Sequence, residues 1–259
     1  MEANVYKIDG TVAGKVTLPD IFGTQYKKDL VLRALLAEQS RDYQPQGRDP
    51  LAGMRTSATY VGRYNTYRTL RHMGVAIRPR QKLAKGAMGE VRRIPSARKG
   101  RRAHPSKVNK TIEERINRKE YNKALKMALA ATASKEEIEN RHVFKGALPV
   151  VVESGIEHVT KTKELYSILE RLIGNDLERS HNPRLRKGLR RLSRRRIFRK
   201  SAVIIAKDAS SLGRAGRNIP GIDVVQIDKL TIGKLAPGGN PRLAIWTEPA
   251  IKGISAVFE

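Results

Sequence analysis

Arg55, Arg63, Arg68, Arg71, Arg78, Arg80, Lys82, Arg92, Arg93, Arg98, Lys99, Arg101, Arg102 and Lys107 fall in one stretch of the chain, with Tyr60, Tyr64 and Tyr67 interleaved among them. A guanidinium fork donates to two phosphate oxygens at once and stacks on bases. A tyrosine ring stacks on an unpaired base. This is chemistry for holding a nucleic acid, not for making or breaking bonds. The stretch spans residues 41–110 and holds 18 lysines or arginines against three acids (Asp42, Asp49, Glu90), a local net charge of +15. It also holds seven glycines, five prolines and four tyrosines, with no sustained apolar period. Such a segment cannot bury enough apolar surface to offset the entropy of ordering itself. It is therefore expected to take shape on a polyanionic partner. The alternative is a solvated charge run; the interleaved tyrosines, and glycines that permit close backbone approach, argue against it.

A second basic block covers residues 184–200, with ten lysines or arginines and no acid. Arg190, Arg191, Arg194 and Arg195 are its candidate phosphate contacts; a basic linker or helix face is the alternative. Other chemistry is thinly represented. The histidines at positions 72, 104, 142, 158 and 181 form no HxxxH pair, and there is no cysteine, so neither a zinc site nor a disulfide framework is indicated. Gly213, Gly216 and Gly221 do not make the GxGxxG spacing of a dinucleotide loop, and a plain turn is the expectation there. No Ser/His/Asp or paired-carboxylate motif stands out. No catalytic residue, metal or cofactor is assigned.

These residues sit in a chain of 259 with 52 basic and 25 acidic side chains, a formal net charge of +27. That much uncompensated charge calls for a counter-charge, nucleic acid first and an anionic membrane second. The longest apolar run, residues 202–206, is far short of the roughly 20 residues a span needs, and residues 1–4 carry no basic-then-apolar signal, so no membrane partner is expected. Absence of cysteine fits a cytosolic setting.

The elements that must position the basic stretch read as follows. Residues 5–8 and 12–16 alternate as strands around Asp9-Gly10, a hairpin signal. Residues 24–39 read as a helix capped by Thr24. After the basic stretch a helix resumes with Thr111 as cap and Glu113 and Glu114 in its first turn, ending in the alanine-rich run 128–133. Residues 148–152 read as a buried strand. Residues 162–173 form an amphipathic helix that Gly174 and Asn175 stop. Strands follow at 202–206, 224–227 and 243–246, with a Gly/Ser-rich turn at 208–221 holding room for a short helix. A closing helix covers 248–258, with Pro249 in its first turn. Val/Ile-rich strands alternating with helices predict an α/β fold: a mostly parallel sheet with helices on both faces, plus a long extended basic internal loop. The expected organisation is one globular domain from 1–40 and 111–259, with 41–110 inserted in it. No internal repeat is evident.

Several tracts carry a resemblance. Leu51-Ala52-Gly53-Met54-Arg55-Thr56 leads into the insertion; Arg93-Ile94-Pro95, Lys99-Gly100-Arg101 and Ala103-His104-Pro105 lead out. Arg217-Asn218-Ile219-Pro220-Gly221 and Leu235-Ala236-Pro237-Gly238-Gly239 lie near the C-terminus. With the tracts 128–133 and 148–152 they resemble the universal large-subunit ribosomal protein family usually called L-four, from about residue 5 to about 248. The Ala-Pro-Gly-Gly element looks like the archaeal and eukaryotic branch, and the short C-terminus looks archaeal. The resemblance implies a structural constituent of the large subunit that binds 23S-type rRNA and neighbouring large-subunit proteins in the cytoplasm. It also implies an α/β domain on the subunit surface and a loop, with its tip at about 60–93, reaching the wall of the peptide exit tunnel beside the nascent polypeptide. Seventy residues folded out and back reach at most on the order of 100 Å at about 3.3 Å per residue, enough to cross a thick RNA layer. Two rivals remain at this point: an RNA-modifying α/β enzyme with a basic substrate-binding arm, and a general DNA binder of chromatin type.

Overall fold

The computed structural model of the chain describes residues 2–67, 69–185 and 196–258. Its centre is a six-stranded sheet in the order β2 (Val12–Thr17), β1 (Glu2–Tyr6), β5 (Val150–Val152), β10 (Leu243–Thr247), β8 (Ala202–Ala206), β9 (Asp223–Gln226). β1 (Glu2–Tyr6) and β2 (Val12–Thr17) pair antiparallel at one edge. The Asp9-Gly10 turn closes that hairpin: Gly10 sits at φ +85°, and Lys7 N–H donates to the Thr11 carbonyl at 2.8 Å. All other neighbours in this sheet run parallel. After β2, a 3-10 turn at Asp20–Gly23 leads to helix α1 (Lys28–Arg41). The second unit, described below, contributes the short strands β3 (Arg80–Lys82) and β4 (Met88–Val91). Helices α2 (Arg118–Ala131) and α3 (Lys135–Glu139) then precede β5 (Val150–Val152) and α4 (Thr162–His181). Two-residue strands β6 (Arg184–Leu185) and β7 (Arg196–Ile197) pair antiparallel before β8 (Ala202–Ala206). The chain finishes with α5 (Ser210–Gly216), β9 (Asp223–Gln226), α6 (Ile232–Leu235), β10 (Leu243–Thr247) and α7 (Glu248–Phe258).

Strand side chains alternate between faces, and both faces are covered. Val151, Val203, Ile205, Ala244 and Trp246 point to one face, under buried residues of α1, α2, α6 and α7. Val150, Val152, Ile204, Leu243 and Ile245 point to the other, under α3, α4 and α5. That is why β5, β8 and β10 read as unbroken apolar runs. Trp246 is fully buried and meets Phe22 edge to face, ring centroids 5.4 Å apart.

Helix boundaries depart from the sequence expectation where distant contacts set them. Thr24 caps no helix; it ends the 3-10 turn, and α1 starts at Lys28 after Tyr26 has donated its hydroxyl to the Gly239 carbonyl at 2.5 Å. Burial, then the charge of Glu137, push that hydroxyl up to about 12. Thr111, Glu113 and Glu114 lie outside α2, which starts at Arg118. Glu113 instead pairs with Arg41 at 3.1 Å, and Glu114 N–H donates to Ser40 Oγ at 2.9 Å. Gly174 and Asn175 do not stop α4, which bends at Ile173 (φ −138°, ψ 32°) and runs on to His181. Its buried stripe continues through Leu177 and Ser180, so burial outweighs the glycine's low helix propensity. The Gly213–Gly216 tract is helical, not a plain turn: it lies in α5. A Cβ on Gly216 would meet Val224 Cγ2 at 2.5 Å, so this glycine lets the helix lie close on β9.

The chain divides into two compact units, residues 1–42 with 113–259, and residues 43–112. The second unit is an out-and-back path. Arg48 N–H donates to the Ser106 carbonyl at 3.0 Å, and Thr59 and Arg80 exchange backbone hydrogen bonds at 3.1 and 3.3 Å. β3 and β4 form its only regular ladder among the described residues. Gly53, at φ +81°, passes so close to the returning limb that a Cβ there would lie 2.4 Å from the Gly100 carbonyl oxygen. Among its described residues only Ala58 and Leu70 are buried apolar side chains.

Candidate nucleic-acid interface

A unit that buries two apolar side chains has almost no hydrophobic term of its own, yet it concentrates charge. Within it, Arg55 pairs with Asp49 at 3.1 Å and Arg92 with Glu90 at 2.6 Å. Its other cations have no carboxylate partner among the described residues. Arg78 donates to Ser96 Oγ at 3.3 Å and Arg80 to the Ala76 carbonyl at 3.4 Å, both neutral acceptors. Arg63, Arg71, Lys82, Arg98, Lys99, Arg101, Arg102 and Lys107 are exposed or partly so. Nε of Arg80, Arg92 and Arg93 is enclosed without an acceptor. A buried donor left unpaired is costly, and phosphate oxygens are the acceptors such donors suit.

The tyrosines are as exposed as the arginines: Tyr60 by 60%, Tyr64 by 58% and Tyr67 by 82%. The Arg71 guanidinium stands 5.8 Å from the Tyr64 ring centroid, and His72 meets that ring edge-on at 5.6 Å. The three side chains make a small stacking platform. Where the outgoing and returning limbs begin and end, an open recess of about 900 Å³ is lined by Arg48, Arg102, His104, Lys107 and Lys110. Nothing in the spacing of Arg48, His104 and Lys110 marks them as contacts; their shared recess appears only once the limbs are paired. Arg68, Arg190, Arg191, Arg194 and Arg195 lie outside the described residues.

The body of the chain holds its own polar machinery, and it is structural. Arg242 is fully buried; it donates to the Ser201 carbonyl at 3.0 Å, to the Ala202 carbonyl at 2.6 Å, to the Gly221 carbonyl, and to Asp223 Oδ2 at 2.5 Å. Lys200 and Lys234 also reach Asp223, at 2.8 and 3.4 Å. Burial opposes ionisation of Asp223, but the hydrogen bonds and charges of Lys200 and Arg242 prevail and hold it well below the usual carboxylate range. This explains the Arg-Asn-Ile-Pro-Gly tract. Gly221, at φ +79°, offers its carbonyl to Arg242 and to Ser201 N–H, and a Cβ there would lie 2.4 Å from the Arg199 carbonyl oxygen.

A second buried pair joins His142 Nδ1 and Asp176 Oδ1 at 3.3 Å. Leu243 N–H donates to His142 Nε2 at 3.3 Å, which leaves Nδ1 as the protonated nitrogen facing Asp176. Burial opposes the Asp176 charge, and hydrogen bonds from His142, Val143 N–H and Phe144 N–H more than offset it, lowering its pKa. Sequence reasoning misses both pairs, because a lone His, Arg or Asp gives no sign of its partner. At the C-terminal ends of the parallel strands, where α/β proteins hold anionic ligands, a side chain of the chain itself is seated. The Glu157 carboxylate accepts from Lys207 N–H at 3.0 Å and from Thr247 Oγ1 at 2.5 Å.

An α/β body whose buried Arg242 and Asp176 find their partners within the chain, joined to a nearly coreless unit most of whose arginines lack a carboxylate partner among the described residues, defines a nucleic-acid-binding protein. The ribosomal protein L4/L1 family model matches residues 16–257, and the chain belongs to that family. It is 38% identical to the large ribosomal subunit protein uL4 of Methanocaldococcus jannaschii, covering 100% of both chains. It is 41% identical to the protein of that name from Methanoculleus marisnigri, over 97% of this chain and 98% of the other. The counterpart in Archaeoglobus fulgidus is 38% identical over 97% of each.

Proposed function

We propose that this protein is a structural constituent of the large ribosomal subunit in the cytoplasm, holding 23S-type rRNA in place without catalysing a reaction. The observation that carries the reading is the contrast within the second unit: exposed arginines and tyrosines on a segment that buries only Ala58 and Leu70 among its described apolar side chains. Cations without carboxylates release counterions when they meet phosphates, and the tyrosines supply position by stacking. In this reading residues 41–110 are an extended loop inserted into a globular domain of 1–40 and 111–259. The loop threads through rRNA, with its tip at about 60–93 at the exit-tunnel wall beside the nascent polypeptide, and the domain touches neighbouring large-subunit proteins. The matched family is one of ribosomal proteins, and the enzyme alternative finds no support in it. No helix among the described residues is long and apolar enough to cross a membrane. The test is co-sedimentation from lysate with purified large subunits washed at high salt. The protein is expected to stay with the subunit; its appearance in the supernatant alone overturns the proposal.

A further inference from the structure

The body also carries positive charge that no carboxylate neutralises. A cleft of about 300 Å³ opens beside the C-terminal half of α4, between the segment after α3 and the chain leading into β8. Arg141, Arg179, Phe198, Arg199 and Lys200 line it, with Asp176 at its floor. Arg179 donates to the Arg141 carbonyl at 2.7 Å, and Arg141 donates to the carbonyls of Pro237 and Asn240 at 2.7 and 3.3 Å. All these acceptors are neutral, so two full cations stand side by side. Burial, then the charge of Arg179, push the Arg141 guanidinium below its usual pKa. Arg199 is exposed and has no carboxylate partner among the described residues. Lys200 alone has an outside partner, Asp223. Asp176 is a single negative charge among the four cations Arg141, Arg179, Arg199 and Lys200, and its oxygens accept from His142, Val143 N–H and Phe144 N–H, so the cleft keeps a net positive charge. At the rim the Phe198 ring is 45% exposed.

From this we infer that the cleft binds an RNA phosphodiester, with Arg141, Arg179 and Arg199 facing the phosphate oxygens and Phe198 stacking on the adjoining unpaired base. It is a second RNA contact, on the body, and it rests on the rRNA-binding reading above. Arginine forks suit phosphate oxygens. An anion between Arg141 and Arg179 relieves a repulsion that a neutral ligand leaves in place. An acidic protein segment would also answer the charge, but its carboxylates do not themselves supply a partner for an exposed phenyl ring, whereas every nucleotide carries a phosphate and a base π-face together.

The test uses the full-length protein and unmodified 23S-type rRNA transcript, with affinity measured across a potassium chloride series. Arg199→Ala and Arg179→Gln are each expected to weaken binding by about 10-fold. Each should also reduce the log–log salt slope by about 0.7 to 0.9 for every phosphate that is no longer neutralised. Phe198→Ala is expected to weaken binding by about 5-fold or more with the slope unchanged. Arg179 also supports the Arg141 carbonyl, so thermal melting accompanies every variant; if Arg179→Gln fails to fold, the exposed Arg199 and Phe198 carry the test. Wild-type protein that does not bind the transcript defeats the rRNA-binding reading itself. Wild-type binding matched in affinity and slope by folded Arg199→Ala and Phe198→Ala defeats only this cleft. The cleft is equally refuted as an RNA site if those variants bind transcript normally but fail to join protein-containing large subunits, because its ligand is then a protein segment.

Discussion

Arg242 illustrates what a single side chain contributes to the body. Removing a guanidinium from water costs several kcal/mol, about what a well-made set of partners returns. Asp223 and three backbone carbonyls are that set. Arg242→Ala leaves the carbonyls of Ser201, Ala202 and Gly221 without this donor and Asp223 with only Lys200 and Lys234, and urea unfolding should show a loss of about 3–5 kcal/mol. Asp223 and Asp176 both have folded-state pKa values below the ordinary 3.8. A depressed carboxylate contributes stability that is complete above its unfolded pKa and lost as pH falls through that value toward the folded one. Urea midpoints should therefore hold level from neutral pH to about 5 and fall below about 4. Asp223→Asn should be less stable at neutral pH and less sensitive to acid. A midpoint that falls equally in both proteins would remove Asp223 from the account.

Strands and helices are legible in sequence to different degrees, for a physical reason. β5, β8 and β10 are buried on both faces, so their residues had to be apolar without a break, and residues 148–152, 202–206 and 243–246 show this directly. Helix starts are not legible because the groups that fix them come from elsewhere: Ser40 receives Glu114, and Gly239 receives Tyr26. The run of α4 past Gly174 is hidden because Asp176 and Ser180, polar by type, are buried with their hydrogen bonds satisfied. The β3–β4 ladder escapes a sequence reading because its strands are short and lack an apolar face. The same lack of burial dictates how the second unit behaves in free protein. Amide exchange should be fast through residues 43–112 and slow in β8 and β10. Strong protection throughout 43–112 would mean the unit is ordered without RNA.

For the molecule as a whole, nearly all the apolar burial lies in the body and the densest charge lies in the second unit, so the two contributions should be separable. Deleting residues 60–93 should move the melting temperature of the body by no more than about 2 °C. The same deletion should weaken rRNA binding and lower its salt slope by about 0.7 to 0.9 for each phosphate the segment neutralises. A large fall in melting temperature would show that the segment stabilises the body. The sequence by itself determined the α/β class, the mostly parallel sheet and the place where the basic residues concentrate, because periodicity and charge are local properties of a chain. Only the tertiary structure decided the partners of Arg242 and His142, the seating of Glu157, the starts of α1 and α2, and the meeting of Arg141, Arg179 and Arg199 in one cleft. Each of these joins residues far apart in sequence, and no spacing rule records which distant group will be there to accept a hydrogen bond or share a charge.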